Sequence, residues 1–273
     1  VCITVFCLEY FWLPPELTRS VSITVASPVV RNLLFDDPKA HELELTLIGT
    51  YGMKGLNPAY PLSIRGQALR EEVFTTPYWG GAYAATVESL TGRKQIPPTA
   101  LKSQLMCERI REGQVWRLFT PCLLHANILH IVFNMMWVIG IGFGIEQRIH
   151  ALRYLTLIGI TGVVSNFAEY LMSGPFFLGY SGVICGMMGF IASRQRVAPW
   201  EQYNLQKAAY SALLFFIFAL VAISMIGFIM EVYLAIPFSI GFANTAHVSG
   251  LVTGFMLGRM HWFKEQLDSA KKA

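Results

Sequence analysis

From Leu118 to Met260, charged side chains fall almost entirely in short gaps between long apolar runs. Nothing else in the sequence limits the fold so strongly. A helix needs about 20 apolar residues to cross a bilayer, because every backbone polar group must find its partner inside the segment. Five runs have that character: residues 118–144, 152–172, 177–193, 208–229 and 242–260. Composition agrees, with 14% charged residues against about 25% in a typical soluble domain. The chain opens at Val1 in the middle of another apolar run, so residues 1–13 read as the end of a truncated transmembrane helix. The expected architecture is an all-α, polytopic membrane bundle of six helices in a lipid bilayer.

Residues 14–115 differ. Proline and glycine punctuate them in "LPPEL", "NPAYPL" and "TGRKQIPP", which are turn signals. The amphipathic stretches "ALREEVF" (68–74) and "TALKSQLMCERIREG" (99–113) predict helices. Nothing here is both long and apolar enough to span, so the segment reads as one long extracytoplasmic loop or small domain. Residues 116–262 form the membrane core and 263–273 a cytoplasmic tail.

Basic residues set the orientation, because short loops rich in Lys and Arg stay in the cytoplasm. The gaps at 148–153 and 194–207 and the C-terminal tail carry them, whereas 173–176 and 231–241 carry none and face outward. The net charge of +4 is modest and no basic run is present, so nucleic acid is not an expected partner. The five cysteines show no CxxC spacing and no ligand cluster. They read as small buried hydrophobes, with no metal and no cofactor implied.

Depth picks out the functional candidates. Ser181 lies about four residues, and His247 about five, into helices that enter from outside, roughly 10 Å deep at most. His130 lies deeper in the first complete run, about twelve residues if that helix starts at Leu118, with Asn134 one turn further on the same face. Intramembrane polar groups normally face the bundle interior or water and mark function. A serine needs a base to become a nucleophile, a neutral histidine supplies one near pH 7, and an oxyanion needs N–H donors. Ser181, His247, His130 and Asn134 supply all three, and no acid stands at that depth to make a third member behind the histidine. Gly179 and Gly182 clear space beside the hydroxyl. Gly182, Gly186 and Gly189 face Gly250, Gly254 and Gly258 as small-residue surfaces that let two helices approach. Activity should fall as pH drops through the pKa of the histidine, for which about 6.5 is the reference.

Four motifs in order, "WRLFTPCLLH", "HANILHIVFNMM", "GYSG" and "ANTAHVSGLVTG", resemble those of the rhomboid intramembrane serine proteases over residues 116–260. The resemblance implies the six-helix rhomboid fold and cleavage of membrane-anchored substrates near the outer face, without metal or cofactor. It further implies Ser181 as nucleophile, His247 as general base, and His130 and Asn134 as oxyanion donors, with Gly179 at the substrate. It points to a bacterial plasma membrane. Two features depart from the family pattern. The first loop is about 100 residues long, and Cys185 stands where many members place an aromatic ring under the histidine. The apolar segment 231–243 reads as a mobile gate. The alternative is a protein of the same fold that binds membrane clients without cutting them.

Overall fold

The computed structural model describes residues 1–11, 27–93, 97–100, 103–203, 207–236 and 243–264. The tail beyond Lys264 and residues 237–242 of the expected gate lie outside them. No β-strand occurs among the described residues, and the chain is an all-α bundle. Its helices are α1 (Cys2–Phe11), α2 (Pro28–Leu33), α3 (Lys39–Tyr51), α4 (Ile64–Thr75), α5 (Gly81–Thr91), α6 (Glu108–Arg111), α7 (Ile128–Trp137), α8 (Phe143–Ser173), α9 (Ser181–Val197), α10 (Lys207–Tyr233) and α11 (Asn244–Leu257).

The first complete apolar run does not start its helix at Leu118. Residues 115–123 form short 3-10 turns and the helix begins at Ile128. Pro121 stands in those turns, and Asn127 caps α7 by accepting from the His130 N–H at 2.9 Å, as short polar side chains do at helix starts. From α7 the chain passes through a π-helical segment, Val138–Gly142, into α8. His150 breaks α8 with φ 64 and ψ 158. Beyond it the chain doubles back, since the Tyr154 hydroxyl lies against Gly142, where a side chain would collide with it. The stretch Ile128–Ser173 therefore holds two passes. It and Tyr210–Tyr233 are long and apolar enough to cross a membrane.

Helix α9 needs no such length or apolarity, because protein surrounds it. Every residue from Gly182 to Arg194 is buried. On one side a Cβ at Gly182 would meet Ser165, and one at Gly186 would meet Thr161, both on α8. On the other, Gly250 and Gly254 of α11 rest on the carbonyl oxygens of Gly182 and Gly186. Small side chains thus let three helices stack with near backbone contact. At the far end Arg194 pairs with the buried Glu201 and donates to the Gly258 carbonyl at 3.0 Å. Arg148 donates to the Glu201 carbonyl at 2.8 Å.

The long loop folds onto the C-terminal end of α8. Phe35 stacks on Tyr170 with centroids 4.4 Å apart, and the Trp79 indole donates to the Tyr170 carbonyl at 3.0 Å. The stretch 68–74 is helical as expected, within α4. The stretch 99–113 is not one helix. Cys107 takes a left-handed φ of 58, and α6 starts afresh where Asp36 accepts from the N–H groups of Glu108 and Arg109 at 2.9 and 3.0 Å. A cap supplied from 72 residues away outweighs the amphipathic pattern. Arg117 is buried and donates to the carbonyls of Arg31 and Leu34 at 2.6 and 2.8 Å, pairing the groups left open at the end of α2.

Candidate active site

Ser181 is the first residue of α9. It follows Gly179, whose φ of +123 belongs to glycine. A side chain at Gly179 would also sit 2.9 Å from the His130 Nε2 atom. Glycine is required there twice, for the turn that starts α9 and for the clearance beside the imidazole. Tyr180 is buried in the main core, which anchors that turn from beneath.

His247 is the fourth residue of α11 and is buried. Its Nε2 lies 2.8 Å from Ser181 Oγ, and its Nδ1 has no hydrogen-bond partner among the described residues. His130 is the third residue of α7, so it lies at the mouth of its helix rather than three turns inside. Its Nδ1 accepts from the Ala126 N–H at 3.4 Å, which leaves the proton on Nε2, the nitrogen beside Gly179. Asn134 is 2% exposed, and its Nδ2 has no partner among the described residues. A buried unpaired donor costs about 1–3 kcal/mol, an arrangement that pays off when a ligand oxygen arrives.

These groups line one cavity of about 940 Å³. Phe133 and Trp137 of α7 and Phe215, Phe216 and Leu220 of α10 form its apolar walls, and Cys185 lies one turn below Ser181. The size and the few polar groups suit a largely apolar ligand. His125 stands before α7 with its ring 5.2 Å from that of His130.

One residue at the site is given no role by its sequence. Glu169 of α8 is 1% exposed, and its carboxylate accepts from the Ala246 N–H at 2.9 Å. The N-cap of α11 is Ala243, which has no capping side chain, so the first-turn N–H groups take an acceptor from a neighbouring helix. A negative charge at a helix N-terminus is also favoured by the dipole. The acceptor bonds one residue ahead of His247 and so sets the height of the imidazole against Ser181. The signal available in the sequence was a lone acid at the outer end of an apolar run, beside a helix start without Ser, Thr, Asp or Asn at the cap.

A family model for the rhomboid domain matches residues 112–263. The chain belongs to the rhomboid family. This rhomboid chain is similar to proteins named Rhomboid protease GlpG from Klebsiella pneumoniae subsp. pneumoniae and from Klebsiella pneumoniae strain 342. Each is 30% identical over 160 residues, which is 59% of this chain and 52% of the relative. The rhomboid chain thus spans about half the length of the curated relatives it matches. Family and apolar helices together make it an integral membrane protein.

Proposed function

We propose that this rhomboid chain is an intramembrane serine endopeptidase that cuts transmembrane protein substrates in the bilayer with a Ser–His dyad. The observation that carries this reading is the 2.8 Å contact between Ser181 Oγ and His247 Nε2 at the wall of a cavity large enough for an unwound peptide. Ser181 Oγ attacks the scissile carbonyl while His247 Nε2 takes its proton. The oxyanion receives the His130 Nε2–H, the Asn134 Nδ2–H and the Ser181 backbone N–H, which lies in the first turn of α9 and has no partner within its helix. Gly179 leaves room for the substrate backbone. The imidazolium then protonates the leaving amine. Water attacks the acyl-enzyme with His247 again as base, freeing Ser181 and the second product.

The dyad lies at the end of the bundle where the loop segments gather, and the Lys- and Arg-bearing turns lie at the other. Together with the names of the bacterial relatives, this supports a plasma-membrane enzyme whose site opens to the extracytoplasmic side. The test is cleavage of a transmembrane substrate in proteoliposomes, with labelling of Ser181 by a fluorophosphonate. Ser181→Ala should lose both. Normal cleavage by that variant would end the proposal, and failure of the wild type to label would favour a client-binding protein that does not cut.

A further inference from the structure

Helix α5 belongs to the long loop and touches none of the four polar groups at the cavity. Its base is mounted rigidly on α8. Gly81 has φ +92, and a Cβ there would lie 2.5 Å from Gly174 N and from Met172 O. Gly174 has φ +76 and meets Gly80 in the same way, with a Cβ 2.8 Å from its carbonyl carbon. The two glycines bring backbone against backbone, and the bond from Trp79 to the Tyr170 carbonyl fixes the approach.

The opposite side of α5 reaches α10. The Tyr83 hydroxyl donates to Glu231 Oε2 at 2.9 Å, and its ring meets Phe228 edge-on at 5.8 Å. Arg93, just past the end of α5, donates to the Glu231 carbonyl at 3.1 Å. These contacts fall on the outer end of a helix whose inner half is held differently. One face of the inner half, Leu213 and Ile217 with Val221 beside them, packs into the main core, although Phe215, Phe216 and Phe218 on its other face are exposed, and the outer-half residues Met225, Ile226 and Ile229 are exposed. In that outer half a second tie comes from Asn244 of α11, whose Nδ2 donates to Ser224 Oγ at 2.6 Å. Helix α10 is also a wall of the cavity, opposite Phe133 and Trp137 of α7. Phe133, Phe215 and Phe216 are exposed, at 50%, 73% and 46%, so the cavity meets the surrounding lipid between α7 and α10.

We propose that α5 is a built-in strap: braced on α8 and tied to Glu231, it holds the outer half of α10 inward and so limits how readily a substrate helix passes between α7 and α10. This rests on the protease reading given above. The strap biases an equilibrium between a held and a swung-out α10, and loosening it raises the swung-out fraction in proportion. The substrate helix needs that movement. A small water-borne probe of Ser181 does not.

The experiment compares wild type with Tyr83→Phe and with Tyr83→Phe/Arg93→Ala in proteoliposomes. Tyr83→Phe keeps the ring contact with Phe228 and removes only the hydroxyl, so it leaves the fold intact. Three quantities are read: kcat/KM for a transmembrane substrate, the rate of Ser181 labelling by a fluorophosphonate, and the distance distribution between spin labels at the exposed positions Leu171 and Met225. The proposal expects kcat/KM to rise about three- to tenfold per tie removed, the equilibrium worth of one hydrogen bond. It expects labelling to stay within about twofold, well inside that range, and the distances to lengthen and broaden. An unchanged distance distribution overturns the strap, as does an equal change in cleavage and labelling. Should wild type fail to label, the protease reading falls, and the spin-label distances still decide whether α5 restrains α10.

Discussion

At the scale of single residues, the proposed mechanism divides the site into groups that meet substrate and a group that places them. Asn134 keeps a buried Nδ2 at the cavity with no partner among the described residues, and the proposed mechanism gives it to the oxyanion. Asn134→Ala should lower kcat about 100-fold with a much smaller change in KM, the pattern of a lost transition-state donor, read from steady-state cleavage. Glu169 acts through the backbone of Ala246. Glu169→Ala leaves the start of α11 without its acceptor and should cost about 1–3 kcal/mol of stability, measured by thermal unfolding in detergent, with activity falling alongside. That Ser181, His247, His130 and Asn134 line one cavity, with Gly179 beside His130, was legible in the sequence from the chemistry of those side chains. Glu169 stands as an acid within the apolar run 152–172, yet its partner is a main-chain N–H 77 residues away, and main-chain groups leave no mark on a sequence. The depth of His130 differs from the expected one for a related reason: hydropathy counts Leu118 onward as one run and does not see that Pro121 and the Asn127 cap postpone the helix.

At the scale of elements, the decisive contact is α9 against α11, since one carries Ser181 and the other His247. Gly254 rests on the Gly186 carbonyl, so Gly254→Ala drives a methyl into backbone that has nowhere to go. Overpacking of this kind costs about 1–3 kcal/mol, and here it also separates the nucleophile from its base. Thermal unfolding and cleavage should both fall, whereas Gly159→Ala on α8, where nothing lies within 4 Å of the added carbon, should leave both unchanged. The glycine periodicity made this pairing readable. Helix bounds were less readable: the run 177–193 becomes a helix that starts only at Ser181, and the run 242–260 becomes an α11 of 14 residues, Asn244–Leu257. The amphipathic stretch 99–113 likewise promised a helix that a carboxylate from elsewhere, Asp36, interrupts and restarts.

At the scale of the whole molecule, the long loop is part of the machine rather than an appendage, since α5 and the Phe35–Tyr170 stack tie it to α8 and α10. Its internal order depends on the charge of Asp37. Burial pushes that carboxyl up, but hydrogen bonds from His41 and Arg31 and the Arg31 charge outweigh burial and hold it below the ordinary carboxylate range. A depressed folded-state pKa contributes stability above the unfolded value of about 3.9 and loses it as pH falls through the folded value. Asp37→Asn should therefore lower the unfolding midpoint at neutral pH, and its deficit should shrink below about pH 4. None of this was legible in the sequence, where residues 14–115 showed turn signals and two amphipathic stretches but no hint of what they pack against. The capping carboxylate of α8 carries one more implication. Because the height of the base is referenced to a neighbouring pass, the connection leading into the last helix does not have to act as a ruler. Its length is free to drift between one generation of sequences and the next while Ser181 and His247 keep their register, so selection can alter the size of that connection without moving the pair apart.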